Sequence, residues 1–224
     1  LIPDSAPAVT VLEGLDRINA ALDLATARCL NEVVTVQPGG ARPAHALAEG
    51  LDRARLIADR GIQMRTLYQH TVRHSYGVLA YLDRLTDVRA EIRTLEELTP
   101  RLLVFDRTVA FIPGTPTASH TALELRAPGV VDFLLAAFDR FWEQAIPLNE
   151  PLPDDPAPDG TSGIRRSIAR LLVKGHVDEE IAHRLGLHVR TCRAHIARLS
   201  AALGGSTNRA QLGYLIARSN ILDD

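Results

Sequence analysis

Cysteine is almost absent from this chain of 224 residues, occurring only at Cys29 and Cys192. Both positions suit the buried face of a helix. Two isolated thiols argue against a disulfide scaffold and against a cysteine-built zinc site. Aromatic residues make up 4% of the chain, with a single Trp, yet nearly half of it is apolar. That composition belongs to a globular protein rather than a disordered one. No apolar run approaches the roughly 20 residues of a membrane span, and no secretory leader is visible, so a cytoplasmic protein without a membrane partner is expected. The chain opens at Leu1 without a methionine, which fits a segment of a longer protein. Its length accommodates two modest cores, one of about 145 residues and one of about 60.

What is present is unevenly charged. The formal total is −2, but residues 162–224 carry ten Lys/Arg against five Asp/Glu, while residues 1–161 carry fifteen against twenty-two. A basic end of +5 is therefore joined to an acidic body of −7. This asymmetry suits a nucleic-acid module attached to something that does not touch nucleic acid. Between them, residues 147–160 (PLNEPLPDDPAPDG) hold five prolines and read as an extended linker over 147–161.

The basic end contains the most specific pattern, GHVDEEIAHRLGLHVRTCRAHIARLSAAL at 175–203. Ile181, Ala182 and Leu185 lie on one face of a short helix, and Gly186 supplies a tight turn because it tolerates a positive φ. Cys192, Ile196, Leu199 and Leu203 then recur at spacings of three and four as the buried stripe of a second helix. Arg190, Arg193 and Arg198 lie off that stripe, beside Thr191 and His195. Such a surface can meet phosphates and base edges.

These residues resemble the DNA-binding domain of the LuxR/NarL family of bacterial transcription regulators, an all-α module of four helices whose third helix reads the major groove. The likeness spans about the last 60 residues, with helices expected at 164–174, 178–185, 189–203 and 207–218. It implies that Arg193, Ala194 and Ala197 face base edges, and that Arg190, Thr191, His195 and Arg198 lie at or near the phosphate-contacting surface. Arg193 is then the candidate for a bidentate guanine contact, worth about 1–3 kcal/mol of discrimination. Two alanines at base-reading positions leave room for shape readout. The sequence departs from the family at Ser162-Gly163-Ile164-Arg165, which lacks the usual glutamate, and at Val177 and His188, which replace capping residues. Double-stranded DNA and a second copy of the chain are the implied partners. Leu212, Leu215 and Ile216 on the last helix are candidates for the dimer contact or for the core.

The body, 8–146, alternates helix-like and strand-like segments. A helix is expected over 8–30, a strand at about 32–36, a helix ending at Gly61, a strand at IQMRTLYQ, a helix over 72–88 and a strand at AEIRTL. A hairpin then turns at Asp106-Arg107, and a strand at 120–126 leads into a helix over 128–145. This order predicts an α/β domain with a mostly parallel sheet flanked by helices.

Within it, RTLEELTPRLLVFDRTVAFIP is similar to the HxKxxxxD region of phospholipase-D-like folds, in which the histidine is the nucleophile that attacks phosphorus. The matching positions here are Thr99, Arg101 and Asp106. A cation survives but the nucleophile does not, and threonine cannot replace it without a base. The small polar segment that usually follows is also replaced, by Pro113-Gly114-Thr115-Pro116-Thr117. No catalytic residue and no enzyme activity are therefore expected. As a whole, 11–146 resembles the phospholipase-D-like sensor domain of TrmB-like regulators and of actinobacterial regulators ending in a LuxR-type helix-turn-helix. Arg outnumbering Lys by twenty-four to one fits such a GC-rich bacterial source.

Open α/β sheets bind ligands at the carboxyl ends of their strands. That places Tyr68, Gln69 and His70, with Arg73, Arg93 and Arg101, around a candidate pocket for a small anionic ligand. The alternative is structural: Tyr68 and His70 close a strand while the arginines pair with Glu96, Glu97 and Asp106. His70 and His74 lack the further ligands of a zinc set, and Val36-Gln37-Pro38 lacks the acidic pair of a receiver domain, so no metal and no cofactor are expected. The competing readings are a phosphodiesterase or nuclease targeted to DNA, and a scaffold whose helix-turn-helix no longer binds DNA.

Overall fold

The computed structural model describes residues 7–39, 44–74, 79, 90–114, 120–152 and 161–222. Among these, eight strands form one sheet in the order β1-β7-β6-β5-β2-β3-β4-β8. The strands are β1 (Val9–Glu13), β2 (Glu32–Gln37), β3 (Gln63–Gln69), β4 (Ala90–Leu95), β5 (Leu102–Phe105), β6 (Val109–Pro113), β7 (Thr121–Leu125) and β8 (Ile146–Pro147). The expected mostly parallel sheet is corrected. Only β2–β3 and β3–β4 pair in parallel, and the other five ladders are antiparallel. Parallel neighbours need a crossover long enough for a helix, and only the chain before β3 and before β4 supplies one between adjacent strands.

The hairpin turn expected at Asp106-Arg107 is present. Both residues have positive φ (48° and 56°), and the Thr108 N–H is donated to the Phe105 carbonyl at 3.0 Å, closing a three-residue turn between the paired Phe105 of β5 and Val109 of β6. The expected helix over 8–30 is corrected at its start. Residues 9–13 form β1, which pairs antiparallel with β7, and α1 begins only at Leu15 (Leu15–Arg28). Gly14, with φ 86°, separates the two, and its N–H is donated to the His120 carbonyl. The helix expected over 72–88 lies largely outside the described residues; its first turn, His70–His74, is a short 3-10 helix.

Side chains alternate across the sheet, so each strand feeds two cores. Val33, Met64 and Phe105 face α1 and α2 (Ala44–Asp59), while Val34, Val36, Leu67, Leu102 and Val104 face α3 (Pro128–Gln144). Helix α3 buries Val131, Leu135, Phe138 and Trp142 against that second face. Arg65 pins it there. Its guanidinium lies 5.1 Å from the Phe138 ring and 5.6 Å from that of Trp142, and it pairs with Asp139 at 2.8 Å. The sheet continues to Pro147, so the body extends past the expected linker boundary at that residue.

Four further helices, α4 (Thr161–Val173), α5 (Asp178–Arg184), α6 (Val189–Ala202) and α7 (Arg209–Arg218), share a core of their own. Ile168, Ile181, Cys192, Leu199, Leu212 and Ile216 are buried in it. Leu212 and Ile216 are thus core residues, and Leu215 is half-buried. Neither Val177 nor His188 caps its helix with a side chain, as their identities imply, whereas Asn208 Oδ1 accepts the Gln211 N–H at 2.9 Å to cap α7.

Candidate nucleic-acid interface and body cavity

The turn between α5 and α6 is made by Gly186 at φ 64°, followed by Leu187, whose N–H is donated to the Ala182 carbonyl at 2.8 Å. This places α6 with Cys192 and Leu199 inward. Arg190, Thr191, Arg193, Ala194, Ala197 and Arg198 are all exposed on the opposite face. His195 is not with them. It is only 8% exposed, on the stripe set by Cys192 three residues earlier and Leu199 four residues later. Burial, then the charges of Arg198 and Arg165, lower its pKa, so this imidazole is held neutral. Its expected position on the phosphate-facing surface is therefore corrected: it belongs to the core side of the helix.

Arg193 is engaged within the helical unit. Its Nη2 lies 2.7 Å from Glu179 and its Nε 3.2 Å from Asp178, which also pairs with Arg209 at 2.7 Å. Burial raises the Asp178 pKa, but hydrogen bonds and charge from Arg209 and Arg193 outweigh it, and the carboxyl sits below its ordinary range.

The expected anion pocket at the strand ends divides into two groups. Gln69, His70, Arg73 and Arg93 have structural partners. Gln69 is 1% exposed; its Oε1 accepts the Gly39 N–H at 2.6 Å, and its Nε2 donates to the carbonyl of Arg184 in α5. It thereby ties the end of the sheet to the turn of the helical unit, where Arg184 also pairs with Glu97 at 3.1 Å. His70 Nδ1 lies 2.9 Å from Thr94 Oγ1; burial, helped by the Arg73 charge, pushes its pKa down to about 4. Arg73 donates to the carbonyls of Ile146, Pro147, Leu148 and Glu150, clamping β8 to the body. Arg93 pairs with Glu91 at 2.6 Å and lies 4.7 Å from the Trp142 ring centre. For these four the structural alternative describes the geometry, although their partners differ from the acids expected.

Tyr68 and Arg101 do face a common space, on the side of the sheet covered by α1 and α2. A cavity of about 270 Å³ lies between the sheet and α1 and α2, lined by both residues together with Gln37. Alternation along β3 is the reason: Met64, Thr66 and Tyr68 point to this face, and Leu67 and Gln69 to the other. Register brings Arg101 in. Val36 pairs with Leu102, so the residue before β5 arrives beside Gln37, the last residue of β2. The threonines of the cavity, Thr26, Thr35 and Thr66, carried no signal in the sequence, since each reads as an ordinary helix or strand residue.

Asp106 stands at the opposite end of β5 from Arg101 and has a structural role. Its carboxylate accepts the N–H groups of Leu30 and Asn31 at 2.7 Å and of Glu32 at 3.1 Å, capping the loop between α1 and β2. Burial raises its pKa, but these hydrogen bonds prevail and hold it below the usual range. The adjacent Cys29 thiol is pushed up to about 11 by burial and by the Asp106 charge, so it is unreactive. Thr99, matched in the sequence to the histidine of the HxKxxxxD pattern, is exposed. Among the described residues there is no cluster of potential metal ligands, and no helix long and apolar enough to cross a membrane.

No family model matches the chain. Over 164 residues it is 30% identical to the bialaphos biosynthetic pathway regulatory protein of Streptomyces hygroscopicus, a match that covers 73% of this chain and 63% of that one. The chain thus spans less than two thirds of that relative. Among solved structures it is similar to Nuc, a phospholipase D family member from Salmonella typhimurium, with TM-score 0.50 and 12% identity over 63% of this chain and 98% of that one. The archaeal chromatin protein TrmBL2 aligns with TM-score 0.48 and 17% identity, over 65% of this chain and 56% of that one. The mixed sheet with helices on both faces is therefore a phospholipase-D-like α/β fold, in a chain that has a regulatory protein as its homologue.

Proposed function

We propose that this chain is a DNA-binding transcription regulator of the LuxR type, in which a catalytically silent phospholipase-D-like body carries a helix-turn-helix unit. One observation carries the reading. Helix α6 follows a glycine turn and presents Arg190, Thr191, Arg193, Ala194, Ala197 and Arg198 together on an exposed face. The regulatory role of the homologue agrees with it. The chain acts as a homodimer, setting two copies of α6 in successive major grooves, with half-site centres about 34 Å apart. Arg193 reads guanine after exchanging Glu179 and Asp178 for the base edge, and the neighbouring arginines meet phosphates. The body does not cut phosphodiesters, because its nucleophile position is Thr99; it senses a small anionic ligand or supports the dimer.

The test is binding to genomic fragments as a function of salt. A steep fall of affinity with salt, and a sequence preference lost in Arg193→Ala, is the expected result. Binding that is absent, or that Arg193→Ala leaves unchanged, refutes base reading by α6. Sedimentation of a complex with two half-sites checks the dimer. Turnover of bis-nitrophenyl phosphate would overturn the silent body.

A further inference from the structure

The two edges of the sheet are finished differently. β8 at one edge is two residues long and ends on Pro147, a form that discourages further pairing. β1 at the other edge has five residues, VTVLE, with neither proline nor lysine and with its one charge at Glu13. Two bonds set the phase of its ladder with β7: the Gly14 N–H is donated to the His120 carbonyl at 2.9 Å, and the Arg126 N–H to the Ala8 carbonyl at 2.8 Å. Bonded residues alternate along an antiparallel ladder, so Thr10 and Leu12 also turn their backbone groups toward β7. Val9, Val11 and Glu13 turn theirs outward, presenting N–H and carbonyl groups along the edge.

Apolar surface lies beside that edge. Val9 pairs with Leu125 and Val11 with Leu123, so their side chains share the face on which α3 packs. Helix α3 does not cover them: Val9 is 52% and Val11 53% exposed. The helix begins soon after Leu125, at Pro128, and its first two turns leave Val130 42% and Phe133 72% exposed. At about 150–200 Å² per residue, these side chains leave roughly 400 Å² open, about half of what one partner buries in a standard interface. An exposed apolar patch of this size is commonly functional.

We infer that the occupant of this edge is a second copy of the chain, paired antiparallel through β1 across a two-fold axis at Val11. The outward groups are symmetric about that residue. The register joins Val11 to the partner's Val11 and Val9 to the partner's Glu13, and each joined pair exchanges both of its N–H···O bonds. Every outward group of both strands is then used. The central valines form an apolar cross-strand pair, and the two glutamates lie at opposite ends of the seam, about 13 Å apart along the strands, so no like charges meet. Each contact is repeated by symmetry, as an interface between identical patches requires. The inference gives the homodimer proposed above its contact in the body and rests on that reading; it does not depend on base contacts by α6.

Sedimentation of the full chain without DNA, at micromolar concentrations, tests this. The wild-type chain sediments as a dimer. Val11→Lys sets two ammonium groups against each other and weakens the dimer at least tenfold, while Trp142 fluorescence and cooperative unfolding stay native because the site is exposed in a single chain. Cross-linking reads the register. The Cα atoms of a bonded antiparallel pair are about 5.5 Å apart, within the span of a disulfide. Val11→Cys oxidised with diamide therefore yields a covalent dimer, whereas Thr10→Cys, offset by two residues from its copy, does not. Cys29 and Cys192 are 1% and 0% exposed and stay out of the reaction. A dimer that Val11→Lys leaves intact, or that cross-links through Thr10→Cys and not through Val11→Cys, overturns the β1 seam and leaves the dimer reading standing. A monomer throughout the range overturns the seam as well, and sedimentation on DNA with two half-sites then decides separately whether α6 alone brings two copies together.

Discussion

Asp106 offers the sharpest test of how the body is held together. Replacing it with alanine removes the acceptor of three backbone N–H groups, those of Leu30, Asn31 and Glu32. The first two are exposed and regain water, at a loss of about 0.5–1 kcal/mol each; the third is partly buried and loses about 1.5 kcal/mol. Alanine at φ 48° adds about 1 kcal/mol of backbone strain. The expected total is about 4 kcal/mol, or a fall in Tm of about 12 °C for a body of this size. Asparagine tolerates the left-handed backbone and keeps one acceptor oxygen, so Asp106→Asn should cost only about 1–2 kcal/mol. Trp142, the only tryptophan, lies in α3 of the body, so its fluorescence follows unfolding of the body alone. The sign with pH is fixed by the lowered carboxyl pKa. The stabilisation is present above the unfolded value near 3.8 and disappears as pH falls through the folded one, so the gap between wild type and Asp106→Asn narrows below about pH 4. A Tm for Asp106→Asn equal to wild type at pH 7, or a gap that persists unchanged at pH 3, would refute the capping argument.

Other outcomes follow from the same geometry. His70 is held neutral with a pKa of about 4, below its ordinary 6.5; its folded-state pKa is depressed, so its contribution is complete above pH 6.5 and is lost as pH falls toward 4. His70→Gln should flatten the fall in Trp142-monitored stability across that window, and an unchanged slope would count against it. A Cβ at Gly186 would meet Gln69 Oε1 and the Gly39 Cα, and its φ of 64° disfavours other residues. Gly186→Ala is expected to destabilise the helical unit by about 1–2 kcal/mol and to speed hydrogen exchange at the Gly39 amide, which Gln69 now accepts. Wild-type exchange at that amide would show that the contact between turn and sheet does not form in solution.

The helical unit was largely legible in the sequence because its information is local. Apolar residues at spacings of three and four, and a glycine where a helix must stop and turn, specify α5 and α6 to within a residue or two. The same periodicity, followed one position further, also contained the burial of His195. A histidine between Cys192 and Leu199 reads as surface from its polarity and as core from its position, and packing decides for position. The hairpin at Asp106-Arg107 was legible for a similar reason, since two residues that tolerate or are forced into positive φ were flanked by apolar runs.

The candidate pocket was misread in part because its determinants are non-local. From the sequence, Tyr68, Gln69 and His70 stand together at a strand end, but consecutive strand residues point to opposite faces. Gln69 and His70 go to buried polar partners, and Tyr68 goes to the cavity. Which arginine joins it depends on the pairing of β5 beside β2, an antiparallel contact between segments more than sixty residues apart that no local pattern encodes. The sequence alone determined the two helices joined at a glycine turn, the charge division between acidic body and basic end, and a threonine rather than a histidine at Thr99, each a matter of residue identity at short spacing. Only the tertiary structure decided the mixed sheet, the structural role of Asp106 and the cavity shared by Thr26, Thr66 and Arg101, because register and long-range packing bring those groups together.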